Sequence, residues 1–260
     1  MRVDTTPAKI AMVQMRVDFA RAQENLARAE RAIAQAAASG CCCAVLPECC
    51  DIGWGLPDAL SYADQIPGPR TQRLGRLAAQ HGMYIVAGLT ENDNGHCYNT
   101  AVIISPTGEL LGKHRKINVL PGVEDMVYAV GDRLGVYDTD FGRVGIDICA
   151  DNARSHLMLG HALAAMGAQM ILSPCAWAVT ANDAAQRTPY GAEWLESYGI
   201  LAKEHGLWVV GVSNVGEVGA GVWAGWKCIG NSIAMSPDGV ALTMEYGVDA
   251  EAVGVVSIAL

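Results

Sequence analysis

Residues 40–50 read GCCCAVLPECC, and this stretch contains a predicted strand around which the other elements of the fold are arranged. Its centre, residues 42–46, is short and entirely apolar, which is typical of a strand buried on both faces. Gly40 precedes it as a helix stop, because glycine readily adopts the conformation that ends a helix. Pro47 fixes the direction in which the chain leaves the strand. The stretch therefore predicts a buried strand that ends at Glu48.

The elements around this strand recur in the same order in both halves of the chain. In the first half, the pattern predicts helices at residues 19–38 and 70–81, and strands at 9–15, 42–46, 84–89, 98–105 and 109–114. In the second half, it predicts helices at 155–167 and 189–205, the latter capped by Thr188. The predicted strands there are 136–138, 143–148, 170–173, 207–213, 229–235, 241–245 and 252–258.

Each half thus runs strand, helix, strand, helix and then several strands. Two such sheets, each with helices on one face, can pack face to face, so we predict an α/β fold with four layers, an αββα sandwich. No proline- or serine-rich linker divides the sequence. We therefore expect residues 1–260 to form a single domain.

Composition restricts the classes of function. Hydrophobic residues make up 51% of the 260 residues and charged residues 17%, which is typical of a folded protein with a large core. A net charge of -9 argues against nucleic-acid binding through phosphate neutralisation. The N-terminal apolar run is too short for a signal peptide, and no stretch approaches the roughly 18 apolar residues of a membrane span. Nine cysteines in a chain that needs no disulfides indicate a reducing, cytoplasmic location.

Three predicted strands end next to a chemically useful side chain: Glu48, Lys116 and Cys149. Together these residues could perform acyl transfer, with Cys149 attacking a carbonyl or nitrile carbon and Glu48 accepting its proton. Lys116 and the backbone N–H of Ala150 would then stabilise the developing negative charge. Taken singly, each residue is also typical of an ordinary buried thiol or surface charge. The spacing alone does not join the three.

The three segments, in this order, resemble the motifs of the nitrilase superfamily of carbon–nitrogen hydrolases. Residues 46–48 (LPE) resemble its glutamate motif, residues 115–116 (RK) its lysine motif and residues 145–151 (GIDICAD) its cysteine motif. Residues 9–15, 225–232 and 236–239 extend the likeness along the chain. The resemblance implies the αββα fold and hydrolysis through a thioester on Cys149, with Glu48 as base and Lys116 as oxyanion stabiliser. It implies neither a metal nor another cofactor.

The resemblance also implies a second glutamate soon after the lysine, which helps to position the substrate. Glu124 is our candidate, because residues 120–131 match the family spacing better with Glu124 than with Asp125 in this role. Since members of the family commonly assemble through helices near the cysteine segment, we expect a homo-oligomer, a dimer or larger.

The residues after the nucleophile bear on the substrate. True nitrilases usually carry Cys-Trp-Glu at this point, whereas this chain has Cys149-Ala150-Asp151. We therefore expect a small amide or N-carbamoyl (ureido) substrate. Nitrile hydrolysis and a non-catalytic member that binds a ligand or partner are the alternatives. Asn118 stands where many relatives place a histidine.

Aromatic side chains in loops near the predicted nucleophile are candidates for a substrate pocket. They are Trp54, Tyr128, Trp177 and Tyr190. Trp177 is favoured because its segment follows a strand that ends at Ser173, although a tryptophan in such a fold is as often part of the core.

The cysteine count raises rival interpretations. No C-x-x-C pair occurs, so zinc and thioredoxin-like sites lack their motif. The histidines after Cys149, which are His156, His161 and His205, lie in no context typical of a cysteine–histidine enzyme. Residues 216–221 are glycine-rich but precede tryptophans rather than a helix, which weakens dinucleotide binding.

The cysteines of residues 40–50 have simpler predicted roles. Cys41 begins the strand, and Cys42 and Cys43 are small apolar residues within it. Cys49 and Cys50 follow the predicted catalytic carboxylate, where they either tune its environment or fill space.

Overall fold

A computed structural model describes residues 7–259 of the chain. Residues 1–6 and 260, which the predicted single domain includes, lie outside the described residues. The N-terminal segment that was compared with a signal peptide begins within residues 1–6. The strands are β1 (Ala8–Gln14), β2 (Cys43–Val45), β3 (Tyr84–Asp93), β4 (His96–Ile104), β5 (Leu110–Arg115), β6 (Gly135–Thr139), β7 (Gly142–Ile146), β8 (Met170–Cys175), β9 (Ala178–Val179), β10 (Trp208–Ser213), β11 (Val215–Glu217), β12 (Lys227–Ile229), β13 (Ile233–Met235), β14 (Ala241–Thr243) and β15 (Ala252–Ile258).

The helices lie between these strands. They are α1 (Ala22–Ala38), α2 (Ala59–Tyr62), α3 (Pro69–His81), α4 (Met158–Ala165), α5 (Ala181–Gln186) and α6 (Ala192–His205). Two 3₁₀ turns, Cys149–Asn152 and Arg154–His156, connect β7 to α4. Within residues 7–259, no helix combines the length and apolar character that a membrane crossing requires.

The strands form two six-stranded sheets and one small sheet. The first sheet has the order β15-β1-β2-β3-β4-β5, and the second has the order β14-β13-β10-β8-β7-β6. Parallel pairs occupy the centre of each, β1–β2–β3 in the first and β7–β8–β10 in the second. Central parallel strands require cover on both faces, which explains why they are almost continuously apolar.

The alternation of side chains along β1 and β2 shows how the layers stack. Ile10 and Cys43 point into a core shared with Ile146 and other residues of the second sheet. Their neighbours Ala11 and Ala44 point the other way, into a core shared with α1 and α3. On the far side, α4 and α6 pack against the second sheet through residues that include Leu163, Tyr198 and Leu201. The order is helices, sheet, sheet, helices, so the predicted αββα sandwich is confirmed.

Several local predictions in the second half were wrong. Helix α6 begins at Ala192 after Gly191, whose φ of 107° breaks the chain direction, and not at Pro189 with Thr188 as its cap. The capping threonine is Thr180, whose Oγ1 accepts a hydrogen bond from Asp183 N at 3.2 Å at the start of α5, a helix that the sequence did not predict.

The predicted strand over residues 229–235 is divided between two sheets. Gly230 and Asn231 both have positive φ, at 64° and 58°, so the chain turns between β12 and β13. Strand β12 joins β9 and β11 in the small sheet, and β13 pairs with β10 in the second sheet. The helix predicted for residues 155–167 begins in turns and is α-helical only from Met158 to Ala165.

Candidate active site

The Lys116 side chain lies at the centre of a buried charge cluster, just after β5 ends. Only 1% of the side chain is exposed. Its Nζ donates to Glu48 Oε1 at 2.8 Å and to Glu124 Oε1 at 2.7 Å. The ammonium therefore lies between two carboxylates and pairs with both.

The segment that follows β2 brings Glu48 into this cluster and contacts strands of both sheets. Its backbone N donates to Cys175 O at the end of β8, at 3.1 Å. Gly88 of β3 lies directly beneath, where an added Cβ would be 2.6 Å from Glu48 Cα, so only glycine allows this approach. The carboxylate is fully buried, and its Oε2 has no hydrogen-bond partner within the described chain.

Glu124 is held by the loop that follows Lys116. Its Oε1 accepts from Trp54 Nε1 at 2.6 Å, and its Oε2 accepts from Leu120 N at 2.8 Å. Glu124 is fully buried, whereas Asp125 is exposed. Of these two acidic residues, Glu124 is the one that contacts Lys116.

Asn99, which the sequence analysis did not single out, completes the cluster. Its Nδ2 donates to Glu48 Oε1 at 2.6 Å and lies 3.4 Å from Glu124 Oε1. It is a fully buried polar residue within β4. The available signal was an asparagine inside the predicted strand of residues 98–105, since a buried amide needs partners.

Cys149 is the first residue of the turn after β7 and has a φ of 45°. A residue other than glycine in this left-handed region carries backbone strain, which proteins retain mainly at functional sites. Its backbone N donates to Ser173 Oγ at 3.1 Å, which fixes the turn to β8. Cys149 is 8% exposed and is thus more accessible than Glu48 or Lys116.

The electrostatics of the cluster raise the pKa of both the Cys149 thiol and the Glu48 carboxyl. A hydrogen bond with Cys175, burial and the charge of Glu48 raise the pKa of Cys149 well above its usual range, while Lys116 opposes the rise. Burial raises the pKa of Glu48 to about 7, against the opposing charge of Lys116. Burial acts to lower the pKa of Lys116, but the charges of Glu124 and Glu48 prevail and raise it. The lysine is therefore a permanent cation beside two groups that can exchange a proton.

A second buried pair joins the lysine and cysteine segments. His114 Nε2 lies 2.8 Å from Asp151 Oδ2, and Asp151 Oδ1 accepts from Asn118 N at 2.8 Å and Ile117 N at 3.2 Å. Asp151 Oδ2 also accepts from Ile148 N at 3.1 Å. This carboxylate fixes both sides of the site at once, a role that the sequence analysis missed.

The aromatic candidates occupy two places. Trp54 and Tyr128 lie behind the carboxylates: Trp54 binds Glu124 as above, and Tyr128 OH accepts from Gly55 N at 3.0 Å. Trp177 and Tyr190 belong to an aromatic group on the nucleophile side, where Trp177 stacks on Trp194 with ring centroids 5.3 Å apart. Trp177 is 1% exposed, so it is part of the core, but its buried Nε1 has no partner in residues 7–259.

Ala150 follows Cys149 in the 3₁₀ turn and is buried. Its carbonyl accepts from Ala153 N at 3.1 Å and lies 3.0 Å from His156 Nδ1. These contacts fix the orientation of the peptide next to the cysteine.

The cysteines of residues 41–50 are free thiols, and all but Cys42 are buried. Burial raises the pKa of Cys43 and Cys50 well above the usual range, so these thiols are unreactive. Cys43 packs between the two sheets and Cys50 against the helices α1 and α3. Cys49 lies 3.6 Å from Tyr128 OH. Most of these cysteines are therefore buried members of the hydrophobic cores.

A buried Lys–Glu–Glu cluster beside a strained cysteine, in an αββα sandwich, defines the carbon–nitrogen hydrolase class. The family profile described as carbon-nitrogen hydrolase matches residues 9–260. The chain belongs to this family.

Similar proteins agree with this assignment. The omega-amidase NIT2 of Xenopus tropicalis is 34% identical over 185 residues, and that of Danio rerio 35%. Each alignment covers 68% of this chain and 66% of the relative, so the chain matches slightly less than two thirds of these proteins' length. A solved structure of an amidase from Nesterenkonia sp. has a TM-score of 0.82 at 21% identity, covering 99% of this chain and 92% of that one. This likeness supports the fold.

Proposed function

We propose that the protein hydrolyses a non-peptide carbon–nitrogen bond of a small amide through a thioester on Cys149. The observation that carries the proposal is the buried Lys116 ammonium within 2.8 Å of two carboxylates, next to a cysteine with strained backbone. Family membership and the amidase activity named for the relatives support the same chemistry.

In the first half of the reaction, Cys149 Sγ attacks the amide carbon while Glu48 accepts the thiol proton. The thiol needs this base because its pKa is raised by the hydrogen bond with Cys175 and by burial. Lys116 and the Ala150 N–H stabilise the oxyanion. The proton then passes from Glu48 to the leaving nitrogen, and ammonia or an amine departs.

In the second half, Glu48 accepts a proton from a water molecule that attacks the thioester. The carbon–sulfur bond then breaks, the acid product leaves, and Glu48 returns the proton to Cys149 Sγ. The Oε2 atom of Glu48 is available for this proton, because Oε1 is occupied by Lys116 and Asn99. Glu124 keeps the lysine in place and orients the substrate. Neither a metal nor a cofactor takes part in these steps.

The aromatic group near Cys149 supports an amide or ureido substrate. Trp177 Nε1 is a buried donor that a substrate oxygen would satisfy, and Tyr190 and Trp194 provide apolar walls beside it. Trp54 and Tyr128 support the carboxylates from behind. A nitrile would offer this donor a weaker acceptor, so nitrile hydrolysis is the second candidate.

The proposal also covers the domain organisation, location, oligomeric state and partners of the protein. We infer one domain, a cytoplasmic location, a homo-oligomer and no nucleic-acid partner. The nine free thiols support a reducing compartment, and the net charge of -9 disfavours nucleic acid.

The test follows ammonia release from a panel of small amides, ureido acids and nitriles. We expect turnover of at least one amide or ureido acid, its loss in Cys149→Ala and its retention in Cys42→Ala, a control at a half-buried cysteine. Activity that survives Cys149→Ala would refute the nucleophile, and turnover of nitriles alone would favour the second candidate. Correctly folded protein with no turnover would favour a non-catalytic binding protein.

A further inference from the structure

Two histidines and a glutamate from neighbouring helices converge outside the candidate active site. His161 lies on α4, and Glu204 and His205 end α6. His161 Nδ1 is 2.7 Å from His205 Nε2 and 3.8 Å from Glu204 Oε2. Their ligand atoms all lie within 4.8 Å of one another, and within residues 7–259 no other group of three has this spacing.

The atoms and their spacing match what zinc requires. Imidazole nitrogen and carboxylate oxygen are common zinc ligands, bound at about 2.0–2.2 Å, so neighbouring ligand atoms in a tetrahedral site are about 3.3 Å apart. The two distances above bracket this value, and small side-chain rotations would equalise them. The two rings are inclined at 70°, so they meet edge to face and do not stack.

The surroundings also favour a cation. The last turn of a helix presents free carbonyl groups and the negative end of the helix dipole, and α6 ends at this cluster. Glu204 adds a formal negative charge. Lys203 lies in the same turn, but its side chain is directed over Gly239, where an added Cβ would be 1.9 Å from Lys203 Cε.

We propose that His161, Glu204 and His205 bind one zinc ion per chain and thereby join α4 to α6. The ion replaces the hydrogen bond between the two imidazoles. His161 coordinates through Nδ1 and His205 through Nε2, each keeping its proton on the other ring nitrogen. Water fills the fourth position. The site takes no part in the proposed hydrolysis, and α4 follows the turns that carry Cys149, so the ion stabilises the packing next to that segment.

Cobalt(II) is the probe, because its spectrum reports the ligands. Chelator-treated protein is titrated with cobalt, and the titration is repeated for His161→Gln and His205→Ala, with His96→Ala as control at an exposed histidine. We expect visible absorption bands that saturate at one equivalent, without a thiolate charge-transfer band. The bands are expected to be lost in the first two variants and kept in the third.

A parallel measurement uses zinc itself. Because an ion that binds only the folded state stabilises it, we expect zinc to raise the midpoint of thermal unfolding in the native protein and in His96→Ala, but not in His205→Ala. Three results would overturn the proposal: no saturable binding, a thiolate band that marks the cysteines as ligands, or an unchanged titration in His205→Ala.

Discussion

At the scale of single residues, the central feature is a lysine ammonium that is almost completely buried, that of Lys116. Removing an ammonium from water costs several kcal/mol unless partners replace the lost hydration. Glu48 and Glu124 both contact Nζ, so the cluster is neutral when Glu48 is protonated and carries one negative charge when it is ionised. The ionised carboxylate, with a pKa of about 7, is a stronger base than an ordinary glutamate, which suits deprotonation of a thiol.

Replacement of the lysine tests this balance. In Lys116→Met, Glu48 and Glu124 lose their shared cation in a buried site, so we expect a loss of about 3–5 kcal/mol in the free energy of unfolding and loss of turnover. Denaturant titration and ammonia release measure these. Lys113→Met, within β5, is the control: the Lys113 side chain is 32% exposed and pairs with Glu91, which Arg115 also binds. We expect a cost of at most about 1 kcal/mol there, and equal losses in the two variants would contradict the account.

The pH dependence of turnover reports Glu48 directly. Burial raises the pKa of Glu48 to about 7, and only the ionised form can accept the thiol proton. As pH rises through about 7, we expect kcat/KM to increase, roughly tenfold per pH unit on the acidic side. A plateau that extends down to pH 5 would contradict the raised pKa. Glu48→Gln, which cannot titrate, is expected to show residual turnover without this step.

At the scale of elements, the site depends on segments that end strands of different sheets. Lys116 follows β5 in the first sheet, and Cys149 follows β7 in the second. Asp151 connects them, because it accepts hydrogen bonds from His114, Ile117 and Ile148. Burial acts to lower the pKa of His114, but the hydrogen bond and charge of Asp151 outweigh it and raise the pKa.

Asp151→Asn tests this connection. An amide cannot accept on both sides, so one strand end loses its anchor and Lys116 and Cys149 shift relative to each other. We expect kcat to fall about tenfold or more with little change in KM, and stability to fall by about 1–3 kcal/mol. Steady-state kinetics and thermal unfolding measure these effects. Asp138→Asn, at an exposed carboxylate of β6, should change neither. A change in KM alone would point to substrate binding instead.

The sequence predicted the positions of the helices and strands better than the contacts between them. Apolar runs and glycine stops located β2, α1 and α3 to within a few residues, because local periodicity determines them. The contact between Lys116 and Glu48 spans 68 positions along the chain, and no local pattern encodes it. The family resemblance assigned Glu48, Lys116 and Cys149 to one site. It did not assign Asn99 and Asp151, because their partners are apparent only in the three-dimensional structure.

The start of α6 shows that a clear local sequence signal can also predict the wrong boundary. Thr188 and Pro189 form a good capping sequence, yet the chain forms an open segment there. Asn231 Nδ2 donates to Tyr190 O at 3.0 Å, and Gly191 then turns the chain into the helix. A tertiary contact therefore overrode a local preference.

At the scale of the whole molecule, the core between the two sheets sets the distance between the two halves of the site. Ile103 of β4 is fully buried in this core. In Ile103→Ala, we expect a loss of about 2–5 kcal/mol in unfolding free energy, because a cavity remains where the sheets meet. Val255→Ala on β15, where the valine is 37% exposed, is the control and should cost less than about 1 kcal/mol. Equal losses, measured by denaturant titration, would contradict this packing.

The central claim is that Cys149 forms the acyl intermediate, and intact-protein mass spectrometry with peptide mapping tests it most directly. The unaltered protein, quenched with acid during turnover of a small amide, should carry a thioester. We predict a mass increase equal to one acyl group, located on the peptide that contains Cys149 and absent from Cys149→Ala. An acyl group on any other cysteine, or turnover without acylation of Cys149, would contradict the account.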